Sequence, residues 1–212
     1  MAEELPELLL PGVEEWRIWL AEHADDDQGV RLVLAKKGAD APTTLTYDTA
    51  LQEALCHGWI DGQARRRDDA TWWQRFTPRR SRSLWSKRNI DYVARLTAEG
   101  RMQARGLAEV TRAQADGRWE AAYDGPAGAE VPAELSLALA ADPAATAMWE
   151  VLTSQNRYAI LHRLQTAKRA ETRARRVEQF VAMLARGETF YPQRRSLAAS
   201  EATTAGPEQA EK

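Results

Sequence analysis

The stretch WIDGQARRRDDATWWQRFT, residues 59–77, decides how the chain folds. Residues 59–66 and 70–77 each read as an extended segment, and the polar Arg67, Asp68 and Asp69 between them have the composition of a turn. Two such runs predict a β-hairpin, which Pro78 closes because it lacks a backbone donor. Toward the N-terminus, VRLVLAKK (30–37) alternates Val30, Leu32 and Leu34 against Arg31, Val33 and Ala35, the pattern of a third strand with one buried face. Helices flank these strands. In VEEWRIWLAEH (13–23), Val13, Trp16, Trp19 and Leu20 recur at helical spacing, with Glu14 and Glu15 where the macrodipole favours acids. Thr46 is placed to cap YDTALQEALCH, whose apolar face is Tyr47, Leu51, Ala54 and Leu55, and Gly58 follows as its terminating residue.

From Ser86 onward the pattern is helical. Ser86 caps a helix containing Ile90, Val93 and Ala94 that stops at Gly100, and a second runs through Leu107 and Val110 to Gly117. Beyond the stretch DGPAGAEVP (124–132), Asp142-Pro143 opens a helix, Ser154 caps the next, and the last ends at Gly187. The expected fold is α+β: a small antiparallel sheet of about three strands with flanking helices, followed by a C-terminal helical bundle. The expected organisation is an α+β domain over residues 1–123, a linker at 124–132, a helical region at 133–190 and a disordered tail at 191–212, where large apolar residues run out after Leu197.

With 212 residues and 44% hydrophobic content, the chain can fill a core without covalent staples. Cys56 is the only cysteine, so no intramolecular disulfide forms and a reducing compartment is expected. The N-terminal MAEELPELLLPGVEEW is acidic where a secretory signal is basic, and no stretch approaches the roughly 20 apolar residues that span a bilayer. These readings place a soluble chain in the cytoplasm, without membrane insertion. They leave the oligomeric state open. The formal net charge of −2 conceals an uneven distribution: −9 over residues 1–64, +8 over 65–118 and −1 over 119–212. Residues 65–88 alone carry +7, interleaved with Trp72, Trp73, Phe76 and Trp85.

Four stretches, ALCHGWIDGQ (54–63), RFTPRRSRSLWSKRN (75–89), GRMQARGLAEV (100–110) and AKRAETRARRVEQFVAMLARG (167–187), resemble the bacterial YdeI/OmpD-associated family of bacteriocin-protection proteins, over roughly residues 10–190. The resemblance implies a role in envelope stress or bacteriocin protection, and a mixed α and β fold with a helical C-terminal part. It carries no catalytic residues onto this chain.

The residues themselves argue against common chemistries. Cys56 and His57 are adjacent on a helix and point about 100° apart, which disfavours a thiolate–imidazole pair; the bland alternative is that Cys56 packs as a small apolar residue. His23, His57 and His162 are scattered, so no metal site or cofactor is expected, and phosphate-loop, dinucleotide and hydrolase signatures are absent. The segment PRRSRSLWSKRN is more informative. Lys87 and Arg88 in a first helical turn oppose the macrodipole, a cost that a bound anion would reverse. Arg79, Arg80 and Arg82 would add bidentate contacts, and Ser86 and Asn89 complete this part of a ligand-binding candidate. Trp59 and Asp61 share a strand face, where Asp61 beside Arg75 reads as a buried ion pair or a ligand contact. The competing interpretation of the basic segment is a salt-bridge network to the acidic first third. The leading functional expectation is a non-catalytic stress or bacteriocin-protection protein that binds an anionic small molecule or protein partner through a basic aromatic patch. A nucleic-acid-binding module is the alternative, opposed by a pI near 6.0, and a small-molecule enzyme with a pocket around Asp61 is the second.

Overall fold

The computed structural model describes residues 5–24, 26–126 and 128–194. The chain divides into two compact units, Met1–Ala122 and Tyr123–Lys212. In the first, the elements run β1 (Glu7–Leu8), α1 (Val13–Glu22), β2 (Val30–Ala35), α2 (Tyr47–Cys56), β3 (Trp59–Arg66), β4 (Thr71–Pro78), α3 (Lys87–Ala98) and α4 (Ala104–Ala115). The sheet order is β1-β2-β4-β3. The α+β class is as expected, but the sheet has four strands and is mixed, because β1 pairs parallel to β2. That edge strand is two residues long, too short to show an alternation, and its neighbour Pro6 receives the Arg31 N–H at 2.9 Å.

Side-chain alternation sorts the sheet into two faces. Val30, Leu32 and Leu34 on β2 lie opposite Phe76, Gln74 and Trp72 on β4 and turn toward the helices. There Trp16 and Leu20 of α1, Leu51 and Leu55 of α2, and Trp59 complete the core. Trp16 stacks on Trp19 at 5.3 Å, meets Phe76 at 5.6 Å, and donates its indole N–H to the Ala50 carbonyl at 3.1 Å. Val33, expected on the lesser face, is fully buried as well, since its strand is internal and its register partner is Trp73. Between Asp61 and Ala64 the β3 register shifts by one residue against β4, a bulge at which Gln74 donates to the Gly62 carbonyl at 2.8 Å.

The tightest approach in this unit lies between α2 and α4. A Cβ on Gly106 would sit 2.2 Å from the Cys56 carbonyl oxygen, and the same oxygen accepts the Gln103 N–H at 3.0 Å. Only glycine at 106 lets these backbones meet. Gly58, with φ of 76°, turns the chain out of α2 into β3 directly beside this contact.

The second unit holds α5 (Ala133–Ala140), α6 (Pro143–Val151), α7 (Ser154–Gln165) and α8 (Ala170–Ala185) around Leu135, Met148, Ile160, Leu164, Phe180 and Leu184. Asp142 caps α6 as expected, whereas α7 is capped by Thr153 rather than Ser154, through the Asn156 N–H. The short α5 is not expected as a separate helix, since AELSLALA has no side-chain cap and Glu134 is its sole helix-end charge. Much of the expected tail, 195–212, lies outside the described residues. Its first residues are tethered. Asn156, 1% exposed, accepts the Tyr191 N–H at 2.9 Å and donates to the Tyr191 carbonyl at 3.0 Å and to Gln193 Oε1 at 2.9 Å. Such polar anchoring leaves no hydropathy signal in the sequence.

Two substitutions test these contacts. Gly106→Ala forces α4 away from α2 and is expected to cost about 1–3 kcal/mol in denaturant unfolding, as overpacking does; an unchanged midpoint would refute the close approach. Asn156→Ala strands the Tyr191 backbone groups and is expected to cost about 1–3 kcal/mol, read as lost amide-exchange protection over 189–193.

Candidate functional site

The sheet separates two of the expected partners. Asp61 lies in register with Phe76, on the core-facing side, where its Oδ2 accepts the Tyr47 hydroxyl at 2.9 Å. Arg75, one residue before Phe76, therefore points to the opposite face and is exposed. The expected Asp61–Arg75 pair does not form, because neighbours along a strand alternate sides. Trp59 shares the side of Asp61 but is fully buried against Trp16 and Trp19.

The loop after β4 distributes its arginines between interior and surface. Arg79 is 5% exposed; its Nη1 donates to the Leu84 carbonyl at 3.1 Å and its guanidinium lies 3.5 Å over the Trp85 ring. Arg118, which the sequence reading passed over, braces the same loop. It is 7% exposed, donates through Nη1 to the Ser83 carbonyl at 3.0 Å, and is held by Asp116 at 2.8 Å. Trp85 in turn packs on Trp119 at 4.9 Å. The Ser86 side chain caps α3 by accepting the Asn89 N–H at 3.2 Å, and both residues are buried. In the first turn of α3, Lys87 is exposed, while Arg88 donates to the Tyr92 hydroxyl oxygen at 3.0 Å and stands 3.6 Å from Asp48. Asp48 thus offsets the cation that opposes the macrodipole.

What remains is a set of exposed guanidinium groups. Arg66 pairs with Asp69, and Arg67 pairs with Glu7 and Asp68. Arg65, Arg75, Arg80 and Arg82 are exposed, and among the described residues their guanidinium groups meet no carboxylate. Two of them flank an aromatic ring on the outer sheet face. Arg65 lies opposite Trp73, Arg75 lies opposite Arg31, and the Arg31 guanidinium rests 4.5 Å over the Trp73 ring. Arg80 and Arg82 extend the positive surface along the loop that follows.

The Cys56 and His57 stretch lies elsewhere, behind a buried ion-pair network. Glu53, 2% exposed, receives Arg17 Nε at 3.0 Å and Nη2 at 2.9 Å, and Arg101 Nη2 at 2.5 Å. Burial works against its charge, but the two arginines outweigh it and hold the carboxyl below the usual range. Burial pushes the Cys56 thiol up to about 11 and pushes the His57 imidazole below its ordinary value. A buried neutral thiol is a packing group, not a nucleophile. Among the described residues no group of three or more His, Cys, Asp or Glu side chains is placed to hold a metal ion. Cys56 is therefore expected to resist a thiol-specific disulfide reagent at pH 8 in the folded protein and to react stoichiometrically once denaturant is added; rapid labelling without denaturant would contradict the buried placement.

Comparison with protein families divides the chain where its structure does. Residues 8–109 match a domain of unknown function, DUF8412. Residues 128–187 match the family described as Bacteriocin-protection, YdeI or OmpD-Associated. That match is narrower than the resemblance over roughly residues 10–190: the motifs at 54–63 and 75–89, with nearly all of 100–110, fall within the first domain, and only the one at 167–187 falls within the second. No curated protein and no solved structure matches the chain. The C-terminal unit is thus similar, over residues 128–187, to the family described as Bacteriocin-protection, YdeI or OmpD-Associated.

Proposed function

We propose that the protein is a non-catalytic, cytoplasmic protein of the bacteriocin-protection type, and that its first unit binds an anionic small molecule or protein partner on the outer sheet face and the adjoining loop. One observation carries this reading: among the described residues Arg65, Arg75, Arg80 and Arg82 stay exposed without a carboxylate, while Arg66, Arg67 and Arg88 beside them are paired. A segment of net +7 repels itself, and an anion bound across several guanidinium groups relieves that repulsion through charge-assisted hydrogen bonds. Arg79 belongs to the scaffold of this surface rather than to the binding groups, because its guanidinium is spent on Leu84 and Trp85. The single cysteine, Cys56, which is free and buried, supports the location.

A nucleic-acid partner is the second reading, favoured by the Arg65–Trp73–Arg75 arrangement. Base stacking there would have to displace Arg31 from the ring it covers. The test is calorimetric titration of the full chain with inorganic polyphosphate and, separately, with a single-stranded oligonucleotide. Arg75→Ala and the Arg80→Ala/Arg82→Ala pair are each expected to weaken polyphosphate binding by about 1–3 kcal/mol, as loss of charge-assisted bonds does, with little change in thermal midpoint. Binding that the variants leave intact, or none at all, would refute the proposal. Oligonucleotide binding that far exceeds polyphosphate binding would select the second reading.

A further inference from the structure

A concavity of the first unit lies at the end of β2. It is formed by the chain from Ala35 to Ala41, by Thr43, Thr44 and Thr46 to Asp48 at the start of α2, and by Trp72 on β4, and it is an open cleft of about 910 Å³. That is the upper part of the range of small-molecule sites. Its walls are held from outside the cleft. Lys36 donates through Nζ to the Asp68 and Asp69 carbonyls at 2.7 and 3.2 Å. Gly38, with φ of 76°, makes the turn beyond it. The Thr44 hydroxyl is bonded to the Pro11 carbonyl at 3.1 Å, and the Thr46 side chain caps α2.

The surface that these walls leave to a ligand has a definite character. Trp72 and Tyr47, both half-buried, form one continuous aromatic wall, with ring centroids 6.2 Å apart and planes inclined by 35°. The Tyr47 hydroxyl is oriented by Asp61 at 2.9 Å, and Arg88 lies 5.2 Å from the ring centroid. Around the rim, Lys37, Asp40 and Asp48 are exposed. The charged side chains of the lining are two lysines and two aspartates, so it carries no net charge. A wholly apolar ligand would leave the rim charges facing greasy surface, and a strongly charged one would meet a like charge on one side. A ring with an apolar C–H face and a girdle of hydroxyls suits both parts. The face lies on the aromatic wall, and the hydroxyls donate to Asp40 and accept from the Lys37 ammonium, since Asp48 already accepts from Gln52 and Tyr92.

We propose that this cleft is a carbohydrate-binding site that seats the pyranose ring of a neutral oligosaccharide on the Trp72–Tyr47 wall. It is separate from the arginines of the outer face. Full-length protein is titrated with maltotriose, cellotriose and the N-acetylglucosamine trimer, up to about 10 mM, a concentration that detects weak binding, and the shifted amide signals are mapped by NMR. At least one trisaccharide is expected to bind saturably and to shift residues 36–48 and the Trp72 indole. Trp72→Ala is expected to weaken it at least about tenfold, as the loss of one aromatic platform does. If Trp72→Ala does not fold by circular dichroism, Lys37→Ala/Asp40→Ala, both at exposed positions, takes its place with the same expectation. Saturating polyphosphate should leave sugar binding unchanged, so that failure here and failure of the anion-binding face are read separately. The proposal is overturned if none of the three sugars binds, if binding survives the substitutions, or if the shifts map away from the cleft.

Discussion

A single buried carboxylate fixes how the helices of the first unit meet. Glu53 on α2 is gripped by Arg17 of α1 and by Arg101 in the turn between α3 and α4, at 2.9 and 2.5 Å. Arg17 and Arg101 are also paired outward, to Glu14 and Glu99, so the network runs from one surface acid through the interior to another. Removing a carboxylate from water is costly, and only two well-placed guanidinium groups make that cost tolerable. Their reach is short, so the network tolerates only one spacing of α1, α2 and the α3–α4 turn. The close contact of Gly106 with the Cys56 carbonyl lies one turn further along α2. It depends on that spacing, as does the direction in which Gly58 launches β3.

Arginine performs three physically different jobs here. Arg17 and Arg101 neutralise a buried acid. Arg79 and Arg118 cross-brace a loop by donating to its carbonyls at Leu84 and Ser83, with Arg79 stacked on Trp85. Arg65, Arg75, Arg80 and Arg82 face solvent. The planar fork of the guanidinium suits all three, since it stacks, donates in several directions and keeps its charge when partly desolvated. A lysine at Arg79 would lose the stacking and one or more of the donors. The charge surplus of residues 65–88 therefore overstates the binding surface: part of it is framework.

The two family matches fall on the two units, and chemistry is unevenly divided between them. The exposed arginines, the aromatic cleft and the buried network all belong to the first unit. The second is held by apolar packing of four helices and by Asn156, which grips the chain after α8. Its aromatic corner, where His162 stands 4.6 Å from Tyr123 and 5.6 Å from Tyr158, is a packing arrangement in which burial lowers the imidazole pKa and raises the Tyr158 phenol to about 12.

Local pattern was enough for the elements that obey a simple period. The hairpin of β3 and β4, the strand β2, the caps Thr46, Ser86 and Asp142, and the glycine stops at 58, 100, 117 and 187 were all legible, because each depends on residues a few positions apart. The basic segment was legible as a charge excess for the same reason. What the sequence alone did not contain was the set of pairings between distant residues: β1 on β2, Glu53 with Arg17 and Arg101, Asp61 with Tyr47 instead of Arg75, and Arg118 on Ser83. Which arginine is buried and which is exposed depends on the face to which each strand residue turns and on the carbonyls that a loop leaves unsatisfied. Those are properties of three-dimensional packing. A guanidinium carries the same charge in either place, so only the tertiary structure decides whether it braces the fold or faces a ligand.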